Sequence, residues 1–96
     1  MSSYRKGRRF EYEVRDFLKE KGWLVLRCAG SKPFDLVALK KGLPPLLIEC
    51  KADAKLRLDQ IRRQEKLASR VGAAYLVIKK EKGWRRKLVR KLAEKL

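Results

Sequence analysis

The order of hydrophobic patterns along the chain predicts an α/β fold: a small mixed four-stranded β-sheet flanked by helices, in the order α-β-β-β-α-β-α. Three observations predict it. Apolar residues recur at helical spacing in three stretches, one at each end and one in the second half of the chain. Four short β-prone runs separate them. The last two of those runs have a helix between them, so the chain must cross over to return to the sheet, the connection that parallel neighbours need. At 96 residues the chain is expected to form one domain, residues 1–96, because it is too short to build two cores.

From about Lys6 to Lys21 the apolar positions are Phe10, Val14, Phe17 and Leu18, and Gly22 follows where helices commonly close. Trp23–Cys28 reads as a first strand and Ala29–Pro33 as a loop. Phe34–Leu39 reads as a second strand, Lys40–Pro45 as a turn and Leu46–Lys51 as a third strand. That connection is short enough to make strands two and three a hairpin. Leu58, Ile61, Leu67, Ala68 and Val71 then mark a second helix that ends at Gly72, and Ala73–Ile78 reads as a fourth strand. After a turn at Lys82–Gly83, the residues Trp84, Leu88, Leu92 and Leu96 recur every four positions along a last helix that is otherwise almost wholly basic. Leu88, Leu92 and Leu96 read as core or dimer contacts.

Hydrophobic residues make up 45% of the chain, enough for a core and too many for wholesale disorder. There are 27 Lys and Arg against 11 Asp and Glu, a net charge of +16, and such a balance points to a polyanionic partner, of which nucleic acid is the usual one. No apolar run reaches membrane-spanning length. The basic start, Met1 to Phe10, leads into an amphipathic stretch and not into a signal-peptide core, so a cytoplasmic location is expected. In that compartment Cys28 and Cys50 are expected to be reduced, buried thiols.

With so few acidic residues, their positions are informative. Most lie in helical or polar segments, where a solvated face accounts for them. Asp35 and Glu49 each interrupt an apolar strand, and a lone buried carboxylate is costly. Residues two apart in a strand share a face, so Glu49 and Lys51 point one way while Ile48 and Cys50 point the other. Asp35 and Glu49 sit on hairpin neighbours and can approach each other across the sheet. Glu11 lies on the flank of the first helix's apolar stripe and faces partly inward. Carboxylates held close repel unless a cation lies between them. A lysine would make this a structural ion pair; a divalent metal would serve as well and also supply chemistry. With no histidine and no CxxC motif, an oxygen-only donor set favours Mg²⁺ or Mn²⁺ over zinc. Spacing alone leaves both readings open.

Asp35, then thirteen residues, then Glu49-Cys50-Lys51 resembles the D…(D/E)xK signature of the PD-(D/E)XK nuclease superfamily, with Phe34 where the superfamily's name has proline. Lys6-Gly7-Arg8-Arg9-Phe10-Glu11 resembles the KGxxxE opening of archaeal Holliday junction resolvases, and Phe34–Leu39 and Leu47–Lys51 are similar to their two metal-site strands. The resemblance covers roughly residues 5 to 80 and implies the restriction-endonuclease-like nuclease fold. It implies that Asp35, Glu49 and the Cys50 backbone carbonyl ligate a metal, that Glu11 completes the acidic cluster, and that Lys51 positions the attacking water. It further implies a supporting role for Gln60 and matches Ser31 to a loop serine near the DNA.

Arg5, Lys6, Arg8, Arg9, Lys32, Lys55, Arg57, Arg62 and Arg63 would ring such a site and hold phosphates on either side of a cut. Any one of them could equally be a solvated surface charge. The expectation that follows is a Mg²⁺- or Mn²⁺-dependent endonuclease that resembles the archaeal resolvases, acts as a homodimer on four-way DNA junctions, and needs neither a membrane nor a small-molecule cofactor. Two alternatives stand beside it: the same chemistry on flaps, single strands or plain duplex, and a non-catalytic basic nucleic-acid-binding protein on a nuclease-like fold.

Overall fold

A computed structural model describes residues 3–28, 30, 33–52 and 57–96, with the side chains of residues 3–7 outside the description. Among them run α1 (Ser3–Glu20), β1 (Leu24–Arg27), β2 (Leu36–Leu39), β3 (Leu46–Lys51), α2 (Leu58–Arg70), β4 (Ala74–Lys79) and α3 (Trp84–Lys95). The sheet order is β1-β2-β3-β4. β1, β2 and β3 pair antiparallel, and β4 returns parallel to β3 after the α2 crossover. This is the expected mixed sheet. The first two strands are shorter at their ends than the apolar runs that announce them, because Trp23 and Phe34 belong to the core without belonging to the ladder.

The ends of α1 and α2 are set by the same device. Gly22 and Gly72 take positive φ values of 94° and 73°, where a side chain would be strained. Past each glycine the amide turns back into the helix, Trp23 N to the Leu18 carbonyl at 3.1 Å and Ala73 N to the Ala68 carbonyl at 2.9 Å. That closure also seats Trp23 against the core beside Leu18, the apolar contact that accompanies such caps.

Alternation along the strands divides the core in two. One face carries Val25, Leu36, Ala38, Leu46, Ile48, Cys50, Leu76 and Ile78 under α1 and α3, which supply Phe10, Val14, Leu18, Trp84 and Leu88. The Trp84 ring meets Phe10 edge-on at 5.3 Å and Phe17 at 5.5 Å. The other face carries the smaller cluster of Phe34, Leu47, Ala68 and Tyr75, covered by α2. Of the leucine ladder on α3, Leu88 is buried, Leu92 packs partly against the core, and Leu96 is exposed. The thiols are both free, with Cys50 buried and Cys28 only half-buried, so the expectation of two buried thiols holds for the first alone. Among the described residues no helix is long and apolar enough to cross a membrane.

Candidate active site

The antiparallel register that pairs Arg27 with Leu36 extends one residue further, to Cys28 and Asp35, whereas on the β3 side Ile48, already paired with Leu36, faces Asp35 as well. Asp35 N donates to the Ile48 carbonyl at 3.0 Å, and the Asp35 carbonyl accepts from Cys28 N at 3.0 Å. Asp35 is therefore clamped between β1 and β3 at the point where β2 begins. Its own carboxylate reaches along the sheet end and accepts from Cys50 N at 2.7 Å. In an extended strand the N–H and C=O of one residue point toward the same neighbour. The Cys50 carbonyl therefore points toward Asp35 as well, while Lys51 turns the other way and accepts from Lys80 N at 2.8 Å.

Glu49 and Lys51 follow on the last half of β3, at the same end of the sheet as Asp35. Glu49 is only 4% exposed. It lies on the α2 face, where the Tyr75 hydroxyl donates to its Oε2 at 2.9 Å and Gln64 Nε2 approaches its Oε1 at 3.4 Å. Gln64 donates its shorter bond to the Pro33 carbonyl, which ties α2 to the chain just before Asp35. Lys51 is half-buried.

Glu11 enters from the opposite face on α1, beside Phe10, and is buried. Burial, and then the charge of Asp35, push its carboxyl above the usual range, against the opposing pull of Arg27 and Arg8. Arg27 ends β1 on the α1 side, contacts Glu11 Oε1 at 3.4 Å, and lies over the Tyr12 ring at 4.8 Å. The Cys50 thiol is pushed well up by burial and then by the charges of Asp35, Glu11 and Glu49. One buried thiol thus senses all three carboxylates, and Tyr75 is likewise held up by burial and by its bond to Glu49.

The donor set is three carboxylates and a backbone carbonyl, the hard-oxygen chemistry that suits a divalent cation such as Mg²⁺. Among the described residues, however, no three acidic, histidine or cysteine side chains are grouped so as to hold a metal ion. The Glu49 carboxylate is bonded on the α2 side, and Asp35 reaches the Cys50 amide.

The glutamine that touches the cluster is Gln64 and not Gln60. Gln60 lies one turn earlier on α2, half-buried, with no hydrogen bond to the site among the described residues. Ser31, Lys32 and Lys55 lie outside the described residues, and Arg5 and Lys6 fall within α1 with their side chains outside the description. Arg8 and Arg9 are exposed on α1, one turn from Glu11. Arg57 and Arg63 flank Asp59 at 3.7 and 3.6 Å on the exposed start of α2, and Arg62 is exposed beside them. Sequence reasoning missed Tyr75, Gln64 and Arg27. Tyr75 had a readable signal, since a tyrosine in the strand paired with the acidic one brings a hydroxyl to a buried face.

A mixed sheet that collects Asp35, Glu49 and Lys51 at one end, with a helical glutamate over them, defines the class of nucleases with the D…ExK arrangement. The family model for the archaeal Holliday junction resolvase (hjc) matches residues 2–95, and the chain belongs to that family. It is 46% identical over 54 residues to the crossover junction endodeoxyribonuclease Hjc of Methanocaldococcus jannaschii, an alignment covering 56% of this chain and 40% of that relative. Its fold is similar to the solved structure of Archaeoglobus fulgidus Hjc, a Holliday junction resolvase, with a TM-score of 0.64 and 32% identity over 78% of this chain and 64% of that one. The chain thus spans less than two thirds of either protein's length. Family membership implies use of a divalent metal.

Proposed function

We propose that the chain is a Mg²⁺-dependent endonuclease that cuts four-way DNA junctions, with residues 1–96 forming one nuclease domain in the cytoplasm. The observation that carries the reading is the gathering of Asp35, Glu49 and Lys51 at one end of the sheet, with Glu11 brought over them from α1. Membership of the resolvase family and the net charge of +16 support it.

Asp35, Glu49 and the Cys50 carbonyl would hold the cation, with Glu11 completing the cluster directly or through water. When bound, a divalent cation activates water toward a phosphodiester and offsets the charge that develops there. Lys51, on the Glu49 face of β3, orients that water and adds positive charge at the attacked phosphate. Arg8, Arg9, Arg57, Arg62 and Arg63 hold backbone phosphates on either side of the cut, in contacts that read charge and shape and not sequence. Arg27, 3.4 Å from Glu11 Oε1, offsets part of that carboxylate's charge. Two cuts in one junction need two sites, so a homodimer belongs to this reading. The strip of Leu24, Leu26 and Leu39, exposed on the part of the sheet that α2 leaves bare, supports it.

A labelled four-way junction incubated with the protein tests the proposal. Cleavage should require Mg²⁺, exceed cleavage of a linear duplex in direct competition, and be lost in Glu49→Ala. Equal cleavage by Glu49→Ala, or none with Mg²⁺ present, would sink it.

A further inference from the structure

We propose that Tyr75 is a positioning residue for Glu49: its hydroxyl anchors Oε2, so that Oε1 is the oxygen presented to the divalent cation. The inference rests on the reading of Glu49 as a metal ligand. Parallel pairing of β3 with β4 sets Leu47 beside Tyr75 and Glu49 beside Val77. Tyr75 is therefore the diagonal neighbour of Glu49 on the α2 face, within reach of its carboxylate. The ring is wedged against Phe34 at 5.9 Å, in the cluster that Ala68 closes from α2. Its orientation is thus set by packing before any ligand arrives.

The two oxygens of Glu49 are held unequally. Oε2 takes a bond of 2.9 Å from the hydroxyl of Tyr75, a residue 5% exposed. Oε1 has only the 3.4 Å approach of Gln64, whose shorter bond goes to the Pro33 carbonyl. The loosely held oxygen is the one that can be given up to a ligand at little cost, and the firmly held one fixes the plane of the carboxylate. Groups that orient a metal ligand in this way are commonly worth about 10- to 100-fold in metal affinity.

The test measures Mn²⁺ uptake by the full chain from the free-ion EPR signal, in the wild type, Tyr75→Phe, Glu49→Ala and Ile61→Ala. Tyr75→Phe keeps the ring and removes only the hydroxyl, whereas Ile61→Ala loosens the same cluster without touching it. Tyr75→Phe should take up Mn²⁺ about tenfold more weakly or worse, with junction binding in the absence of metal unchanged. Its cleavage should recover toward the wild-type rate as Mg²⁺ is raised, while Ile61→Ala should bind Mn²⁺ as the wild type does. If the wild type binds Mn²⁺ and Tyr75→Phe binds it equally or more tightly, the positioning role is wrong and the metal site stands. An equal weakening in Ile61→Ala would assign the effect to packing and overturn it too. If the wild type takes up no more Mn²⁺ than Glu49→Ala, both readings fall.

Discussion

The face of the sheet under α1 and α3 and the face under α2 are built from the same four strands and finished differently. The first is closed by two helices around Phe10, Leu18, Trp84 and Leu88, with large side chains in edge-to-face contact. The second has a single helix over β3 and β4, and leaves Leu24 and Leu26 on β1 at 58% and 49% exposure. Its cluster is smaller, and two of the polar groups that touch Glu49, Tyr75 and Gln64, belong to it or border it. A face that is packed throughout has no room for side chains that must exchange partners. The larger core thus lies on one side, and the groups bonded to Glu49 lie on the other, at the sheet's end that Glu11 reaches from the larger core's side.

That contrast can be broken by truncation. Phe10 is fully buried, and Phe10→Ala should cost about 3–5 kcal/mol, read as a fall in the denaturant midpoint at constant slope. Ile61, only partly buried in the α2 cluster, should lose about 1 kcal/mol on truncation to alanine. Equal losses would show that the two faces share the load. On the bare strip, Leu26→Lys should leave the unfolding free energy of the monomer within about 0.5 kcal/mol, because its side chain already meets water. The same substitution should shift sedimentation toward the monomer if a second copy docks there. A dimer unaffected by Leu26→Lys would move the interface elsewhere and leave the strip as plain surface.

Much of this arrangement is legible in the order of residues. The order of elements follows from periodicity, and Gly22 and Gly72 mark two helix ends because only glycine is at ease with the positive φ found there. Asp35 and Glu49 stand out because a charge in an apolar strand demands a partner, and the hairpin register brings them to one end of the sheet. What pattern alone could not say is which way each carboxylate turns. Glu49 turns to Tyr75 because of a parallel register made through a crossover, a contact across 26 residues with no local signature. Gln64 and not Gln60 reaches the site for a related reason: the placement of α2 over the sheet, and not helical spacing, decides which turn of the helix lies above Pro33. Arg27 reads as the end of a strand until α1 is laid across it.

The smallest expected effect concerns Glu11, and its sign is the informative part. Burial, and then Asp35, raise the Glu11 carboxyl above its ordinary value of 4.5, while Arg27 opposes them. The folded protein then holds this proton more tightly than the unfolded chain does. The stability contributed by that proton is fully present below the ordinary value and is lost as pH rises through the raised one. Glu11→Gln removes the titration. In metal-free protein the variant should therefore match the wild type in melting temperature near pH 4 and melt higher near pH 8. Adding Mg²⁺ at pH 8 should raise the wild type more than the variant, which keeps Asp35 and Glu49 but lacks the third ionised carboxylate. A variant that melts lower than the wild type at pH 8 without metal would mean that Arg27 outweighs burial and Asp35. The acidic end of the sheet would then be a settled ion pair and not a site held in wait for a cation.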